Sequence, residues 1–185
     1  MKVPIITVVT PVLPERDPRH LFECQQSVQA QTVPVDSHEF KFDFDHDGPG
    51  ATRNAIVDSE ACSDSEWFLF LDDDDLLDED FIETCLPYLC VNDVVYTWCR
   101  KNFDYPTDVP FNAEALKGNN FIPVTSLVRA SKFREVEGFG DSPYEDWKLW
   151  LKLLDAGARF HCIQQKKWTY RRSEEGQNAK DRGVR

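Results

Sequence analysis

Trp67-Phe68-Leu69-Phe70-Leu71-Asp72-Asp73-Asp74-Asp75 is the stretch on which the fold turns. Five apolar residues in a row lack the alternation of a half-solvated strand. They read as a central strand covered on both faces. The strand runs, with no turn residue between, into four carboxylates. Like charges this close raise one another's pKa or require a cation. Mg²⁺ commonly combines one or two carboxylates with substrate phosphates. Asp72 and Asp74 are two apart, so extended backbone projects them to the same side. The spacing predicts a metal and diphosphate site at a strand end. A solvated acidic loop capping a helix from Asp78 is the competing reading.

Upstream, Pro4 to Val9 is a β-branched run that predicts a first buried strand ending at Thr10-Pro11. Asp17-Pro18 reads as the cap and first residue of a helix reaching about Gln31, with Leu21, Cys24 and Val28 at helical spacing. His38 to Asp45 alternates strictly and predicts a second strand with Phe40, Phe42 and Phe44 on one face. Asp47-Gly48-Pro49-Gly50 is a turn before a short helix from Ala51 to Val57. This β-α-β-α-β opening predicts a mostly parallel α/β sheet flanked by helices, in a single domain. Ligands of such sheets bind beyond the carboxyl ends of the strands. Thr10-Pro11, Asp43 to Asp47 and Asp72 to Asp75 all fall at such ends.

Downstream, a helix from Asp78 is expected to stop before Pro87, followed by strands over Val91–Cys99 and Phe121–Val128. Residues 101–118 read as a polar loop. Ser131 to Glu137 predicts a short helix and Gly138-Phe139-Gly140 a turn. Tyr144 to Ala156 is the clearest helix. Trp147, Trp150, Leu151 and Leu154 form its apolar stripe, and Gly157 ends it. Arg159 to Tyr170 returns as a strand, and 176–185 reads as a flexible tail.

The 185 residues are 41% hydrophobic, and five Trp with thirteen Phe supply a sizeable core. A net charge of −12 disfavours nucleic-acid binding, although Lys166, Lys167, Arg171 and Arg172 form a basic cluster. The six cysteines form no C-x-x-C pair or zinc spacing and sit mostly in apolar surroundings. They suggest free thiols in a reducing, cytoplasmic setting. No stretch approaches the ~20 apolar residues of a membrane span, and the N-terminus lacks a signal-peptide pattern.

The segment WFLFLDDDD resembles the F-L-D-x-D-D element of family 2 glycosyltransferases. Three other segments resemble that family in the same order: VVTPVLPERDPRHLFECQQSVQAQTV, GPGATRNAIV and VEGFGDSPYEDWKLWLKLLDAG. Together they cover most of residues 4–175. The resemblance implies a GT-A fold and sugar transfer from a nucleotide-diphosphate donor, a UDP-sugar favoured, to an acceptor hydroxyl with inversion. It implies Mn²⁺ or Mg²⁺ held by Asp74 and Asp72, with Asp72 and Asp73 near the ribose and phosphates. It implies a nucleoside pocket at Thr10, Pro11 and an acidic residue after the second strand. It also implies Asp146 of Glu145-Asp146 as the general base. A helix dipole would favour the charged form of Asp146. Asp43, Asp45 and Asp47 all fit the base-binding position, and Asp45 is taken as the candidate. Arg53 is expected to pair with the aspartates or a phosphate, or to be a plain surface arginine.

The sequence departs from the family in three ways. The stretch between the second strand and the A-R-N helix is much shorter. Tyr170-Arg171-Arg172 is followed by Ser173, where many members have a metal-completing histidine, so Arg171 and Arg172 are candidates to neutralise phosphate. C-terminal extensions that build acceptor sites in larger members are lacking. Other readings compete. Asp43-x-Asp45-x-Asp47-Gly48 opens like an EF-hand loop, but Asn54 stands where a bidentate Glu belongs. A nucleotidyltransferase would carry glycines in the loop at Thr10 to Pro14, which has none. A catalytically inactive relative acting as a binding protein is the last.

Overall fold

The computed structural model describes residues 3–101, 108–141 and 144–171. Seven strands, β1 Ile6–Val12, β2 Ser37–Phe42, β3 Trp67–Phe70, β4 Leu76–Leu77, β5 Val94–Arg100, β6 Ser126–Arg129 and β7 Phe160–Thr169, form one sheet. Their order is β2-β1-β3-β6-β5-β7-β4. β1 pairs in parallel with both β2 and β3, and β5 with β7. β6 is antiparallel to β3 and β5, and β4 to β7. β1, β2, β3, β5 and β7 therefore point one way, β6 and β4 the other. The sheet is mixed but mostly parallel.

Six helices flank it: α1 Pro18–Gln29, α2 Pro49–Val57, α3 Phe81–Leu89, α4 Ala113–Gly118, α5 Ala130–Glu135 and α6 Glu145–Asp155. β3 is central, as its unbroken apolar run predicts. Phe68 and Phe70 enter one core with Ile56 of α2, Phe133 of α5 and Trp150 of α6. Trp67 and Leu69 enter the opposite core with Cys24 and Val28 of α1 and Ile82 of α3. Burying each such side chain stabilises the fold by about 1.5–3 kcal/mol, which is why this strand tolerates no polar residue until it leaves the core at Asp72.

Several expected boundaries move. β1 continues through Thr10-Pro11 to Val12. Odd-numbered residues of β1 face β3, as the bond from Leu71 N–H to Val9 O shows. Pro11 follows the last bond to β3, and its missing N–H ends that pairing at Leu71, while β1 goes on pairing with β2 to Val12. α3 begins only at Phe81 and passes through Pro87. In a final turn, a proline removes only the bond it would have donated. The predicted loop contains α4, capped by Asn112, whose Oδ1 accepts Ala115 N–H at 2.9 Å. The strand expected over 121–128 is confined to β6.

α1 starts as expected, with Asp17 accepting Arg19 N–H at 2.9 Å. The buried stripe of α6 is Leu149, Trp150 and Leu153, rotated from the expected one, while Trp147, Leu151 and Leu154 are half-buried. Lys152, expected on the outer face, donates to Val136 O at 2.6 Å. β2 is an edge strand that ends at Phe42, short of the expected Asp45; Phe40 and Phe42 are exposed along it and Phe44 in the turn beyond. All six cysteines are free thiols. Arg172, Ser173 and the tail 176–185 lie outside the described residues.

Candidate active site

The carboxyl ends of β1, β2, β3, β5 and β7 share one edge of the sheet, and the aspartate run leaves β3 there. The run does not continue the extended backbone. Asp75 N–H bonds Asp72 O at 3.1 Å, closing a turn that sends the four carboxylates apart. The expectation that Asp72 and Asp74 project together from extended chain therefore fails. Asp72 pairs with Arg53. Asp73 binds Arg16 Nε at 2.9 Å and accepts Leu13 N–H at 3.0 Å. Asp74 pairs with the same Arg16. Asp75 accepts Arg171 N–H at 3.0 Å.

The cation that like charges demand is thus arginine. Arg16 arrives from the β1–α1 loop, Arg53 from α2 and Arg171 from the end of β7. Arg171 also donates to Asp74 O and pairs with Glu23, so it is anchored to the run. Asp73, Asp74 and Asp75 are at most 7% exposed. Burial lifts Asp73 to about 6, with Arg16 and Leu13 N–H opposing. Burial, with the charge of Asp72, raises Asp75 well above the usual carboxylate range. Asp75 Oδ2 is buried with no hydrogen-bond partner.

Arg53 is not a surface residue. It is 2% exposed, reaches Asp72 with one nitrogen and Glu145 Oε1 with another at 3.3 Å, and lies 5.2 Å from the Phe139 ring centroid. It ties the aspartate run to the first turn of α6. The close approach of α2 and α6 depends on Gly50. A Cβ there would sit 2.9 Å from Glu145 Cγ and 3.2 Å from Phe139 Cβ.

Next to Glu145, Asp146 accepts Asn120 Nδ2–H at 2.8 Å on Oδ2 and Trp147 N–H at 2.7 Å on Oδ1. Burial raises Asp146 above the usual range, and these donors and Arg53 only partly offset it. The expected net effect of the helix dipole is therefore outweighed. Burial raises Glu145 likewise, against the pull of Arg53.

Thr10 and Pro11 are buried at the end of β1, and Thr10 Oγ1 hydrogen-bonds His38 Nε2 at 2.8 Å. Asp43 accepts the N–H groups of Asp47 and Gly48 at 2.9 and 3.0 Å and so holds the turn. Asp45 and Asp47 are exposed. An EF-hand is excluded here, because a strand precedes Asp43 and α2 begins at Pro49, inside the would-be loop. His46 reaches Glu15 at 3.4 Å and joins the loops after β2 and β1.

Among the described residues, no three His, Cys, Asp or Glu side chains converge as a metal cage. A divalent cation that draws its other ligands from a diphosphate needs only one or two carboxylates. Asp72, with a side chain 29% exposed, fits that role, whereas the Asp74 side chain is 10% exposed and held by Arg16. Sequence reading missed Arg16 and Asn120. Arg16 carried a faint signal, a lone cation in the loop of the first strand. Asn120 carried none.

No protein-family model and no curated protein matches the sequence. Solved structures do. Crystal structures of S. aureus TarS 1–349 are similar to this chain at 14% identity. TM-scores are 0.73 for its UDP complex and for its UDP-GlcNAc complex. The matches cover 92% of this chain but only 61% and 60% of those chains. The likeness is one of fold. It shows a GT-A-type α/β domain with a mostly parallel sheet flanked by helices, as the sequence predicts. Among the described residues, no helix is long and apolar enough to cross a membrane.

Proposed function

We propose that the protein is a family 2 glycosyltransferase that moves a sugar from a nucleotide-diphosphate donor to an acceptor hydroxyl with inversion. The observation that carries this reading is the Asp72–Arg53–Glu145 bridge, which brings the strand-end carboxylates beside Asp146. The donor would lie across the ends of β1, β2 and β3, with the nucleoside at Thr10, Pro11 and Asp45 and the diphosphate near Asp72 and Asp73. The complexes of TarS with UDP and UDP-GlcNAc favour a UDP-sugar. Asp72, with Asp74 if Arg16 yields it, would hold Mn²⁺ or Mg²⁺, which neutralises charge on the departing diphosphate.

In the proposed step Asp146 takes the acceptor hydroxyl proton. The acceptor oxygen bonds to the anomeric carbon from the face opposite the diphosphate. The carbon–oxygen bond to the diphosphate breaks, and the electron pair leaves with the nucleotide. A raised Asp146 pKa brings this base closer to the working pH, where general bases act best. The six free thiols suit a cytoplasmic setting.

Tryptophan fluorescence titrated with UDP, GDP and dTDP, with and without Mn²⁺, tests the reading. Binding of at least one nucleotide, strengthened at least tenfold by Mn²⁺, is expected. Metal-independent affinity, or no binding of any, sinks it.

A further inference from the structure

The two oxygens of Asp146 are held by groups of different origin. Trp147 N–H, on Oδ1, belongs to the same helix turn and moves with it. The amide of Asn120, on Oδ2, comes from 26 residues upstream, between α4 and β6. The backbone that carries Asn120 is fastened on both sides by α6. Trp147 Nε1 donates to Leu116 O at 2.7 Å, and Trp150 Nε1 donates to Ile122 O at 3.1 Å. Phe121 and Ile122 are buried at 3% and 1% exposure, so the segment is packed as well as tethered. An indole N–H withdrawn from solvent needs such an acceptor. Here the acceptors bracket one amide aimed at one carboxylate.

The chemistry of the partner matters. An amide donates to a carboxylate without neutralising it, whereas an arginine or lysine would quench a base. A donor on one oxygen also fixes rotation about the terminal torsion of Asp146, which is otherwise broad. The lone pairs left free on the two oxygens are then offered to an incoming hydroxyl in a fixed direction. We propose that Asn120, clamped by Trp147 and Trp150, is a positioning residue that orients the Asp146 carboxylate for the transfer reaction proposed above. Arg53 from α2, Asp72 from the end of β3 and Glu145 beside it are the other charged groups whose fields reach Asp146.

The test uses release of UDP from UDP-GlcNAc, with water as acceptor, in the full chain and in Asn120→Ala and the nearly isosteric Asn120→Asp. Asn120→Ala is expected to lower kcat on the order of tenfold, part of what a general base contributes. Donor KM should be unchanged. Loss of a donor to the charged carboxylate moves the acid limb of the kcat profile to higher pH, and Asn120→Asp moves it further. A role in packing alone would lower kcat equally at every pH. If both variants keep the parental acid limb, the positioning role is wrong. A parent that releases nucleotide from none of the UDP-, GDP- and dTDP-sugars defeats the transfer reaction itself. A parent that turns over, stops on Asp146→Asn and ignores Asn120→Ala defeats the role of Asn120 alone.

Discussion

Asp73 and Asp93 are both buried aspartates bound to arginine, at opposite edges of the same sheet, and their carboxyls are driven in opposite directions. Asp93 lies just before β5. Burial pulls it up, but Arg159 and Arg129, the latter at 2.9 Å, together with Arg159 N–H at 3.0 Å, outweigh burial and hold it below the usual range. Asp73 has one arginine, shared with Asp74, and stays near 6. Both sites contain an ion pair, so an ion pair alone distinguishes neither. What differs is completeness. The far edge gives one carboxylate two cations, whereas at the near edge two arginines, Arg16 and Arg53, pair with three of the four carboxylates and Asp75 is met by a backbone N–H. Under-compensated carboxylates gathered at the carboxyl ends of strands are what a functional edge looks like.

Substituting at each edge should separate chemistry from stability. The largest effect expected is on Asp146→Asn, which should lose turnover by about 10²–10⁴-fold, the range of general-base catalysis, while donor binding by tryptophan fluorescence persists. Transfer at the parental rate would assign the base elsewhere. Asp93→Ala should do the reverse, leaving donor turnover intact and destabilising the fold by about 1–3 kcal/mol by stranding its donors. Urea unfolding measures this, and an unchanged midpoint would contradict it.

Gly50→Ala comes next, with a cost of about 1–3 kcal/mol from overpacking. Its Cβ must displace Glu145, so weakened donor turnover should accompany the loss. Full turnover would show that the α2–α6 approach is not needed.

The smallest effect is a slope. A carboxyl whose folded pKa is raised adds stability below its unfolded pKa, ~3.9. It loses that stability as pH rises through about 6. The Tm of Asp73→Asn relative to parent should therefore climb between pH 4.5 and 7. Asp93 has the opposite sign, because a lowered pKa adds stability that is lost on acidification. A flat or falling difference for Asp73→Asn would remove the contrast between the two edges.

The strand that positions the site was legible because burial on both faces leaves an unbroken apolar run at Trp67–Leu71. The first turn of α6 and the short helix carrying Arg53 were legible from local patterns as well. What stayed hidden was long-range. Arg16 is 58 residues from Asp74, and Arg171 is 96 from Asp75. No periodicity reports that such groups meet. The turn at Asp72–Asp75 was hidden for a different reason. Aspartate is a turn-forming residue, but four in a row do not say which of them turn, and it is the bond from Asp75 N–H to Asp72 O that places the turn at Asp73 and Asp74. Pro11 and Pro87 misplaced boundaries because a proline removes one donor and need not end its element: β1 goes on pairing with β2 to Val12, and α3 runs on to Leu89.

The extension of β1 past β3 has one more consequence. Val9 pairs with Phe70, the last residue of β3, yet β1 continues to Val12. Beyond Phe70 the chain stays beside β1 without a ladder: Leu71 N–H bonds Val9 O at 3.1 Å, and Asp73 accepts Leu13 N–H at 3.0 Å. The aspartate run is thereby pinned to the end of the longer strand, so the extra length of β1 fixes where the run turns.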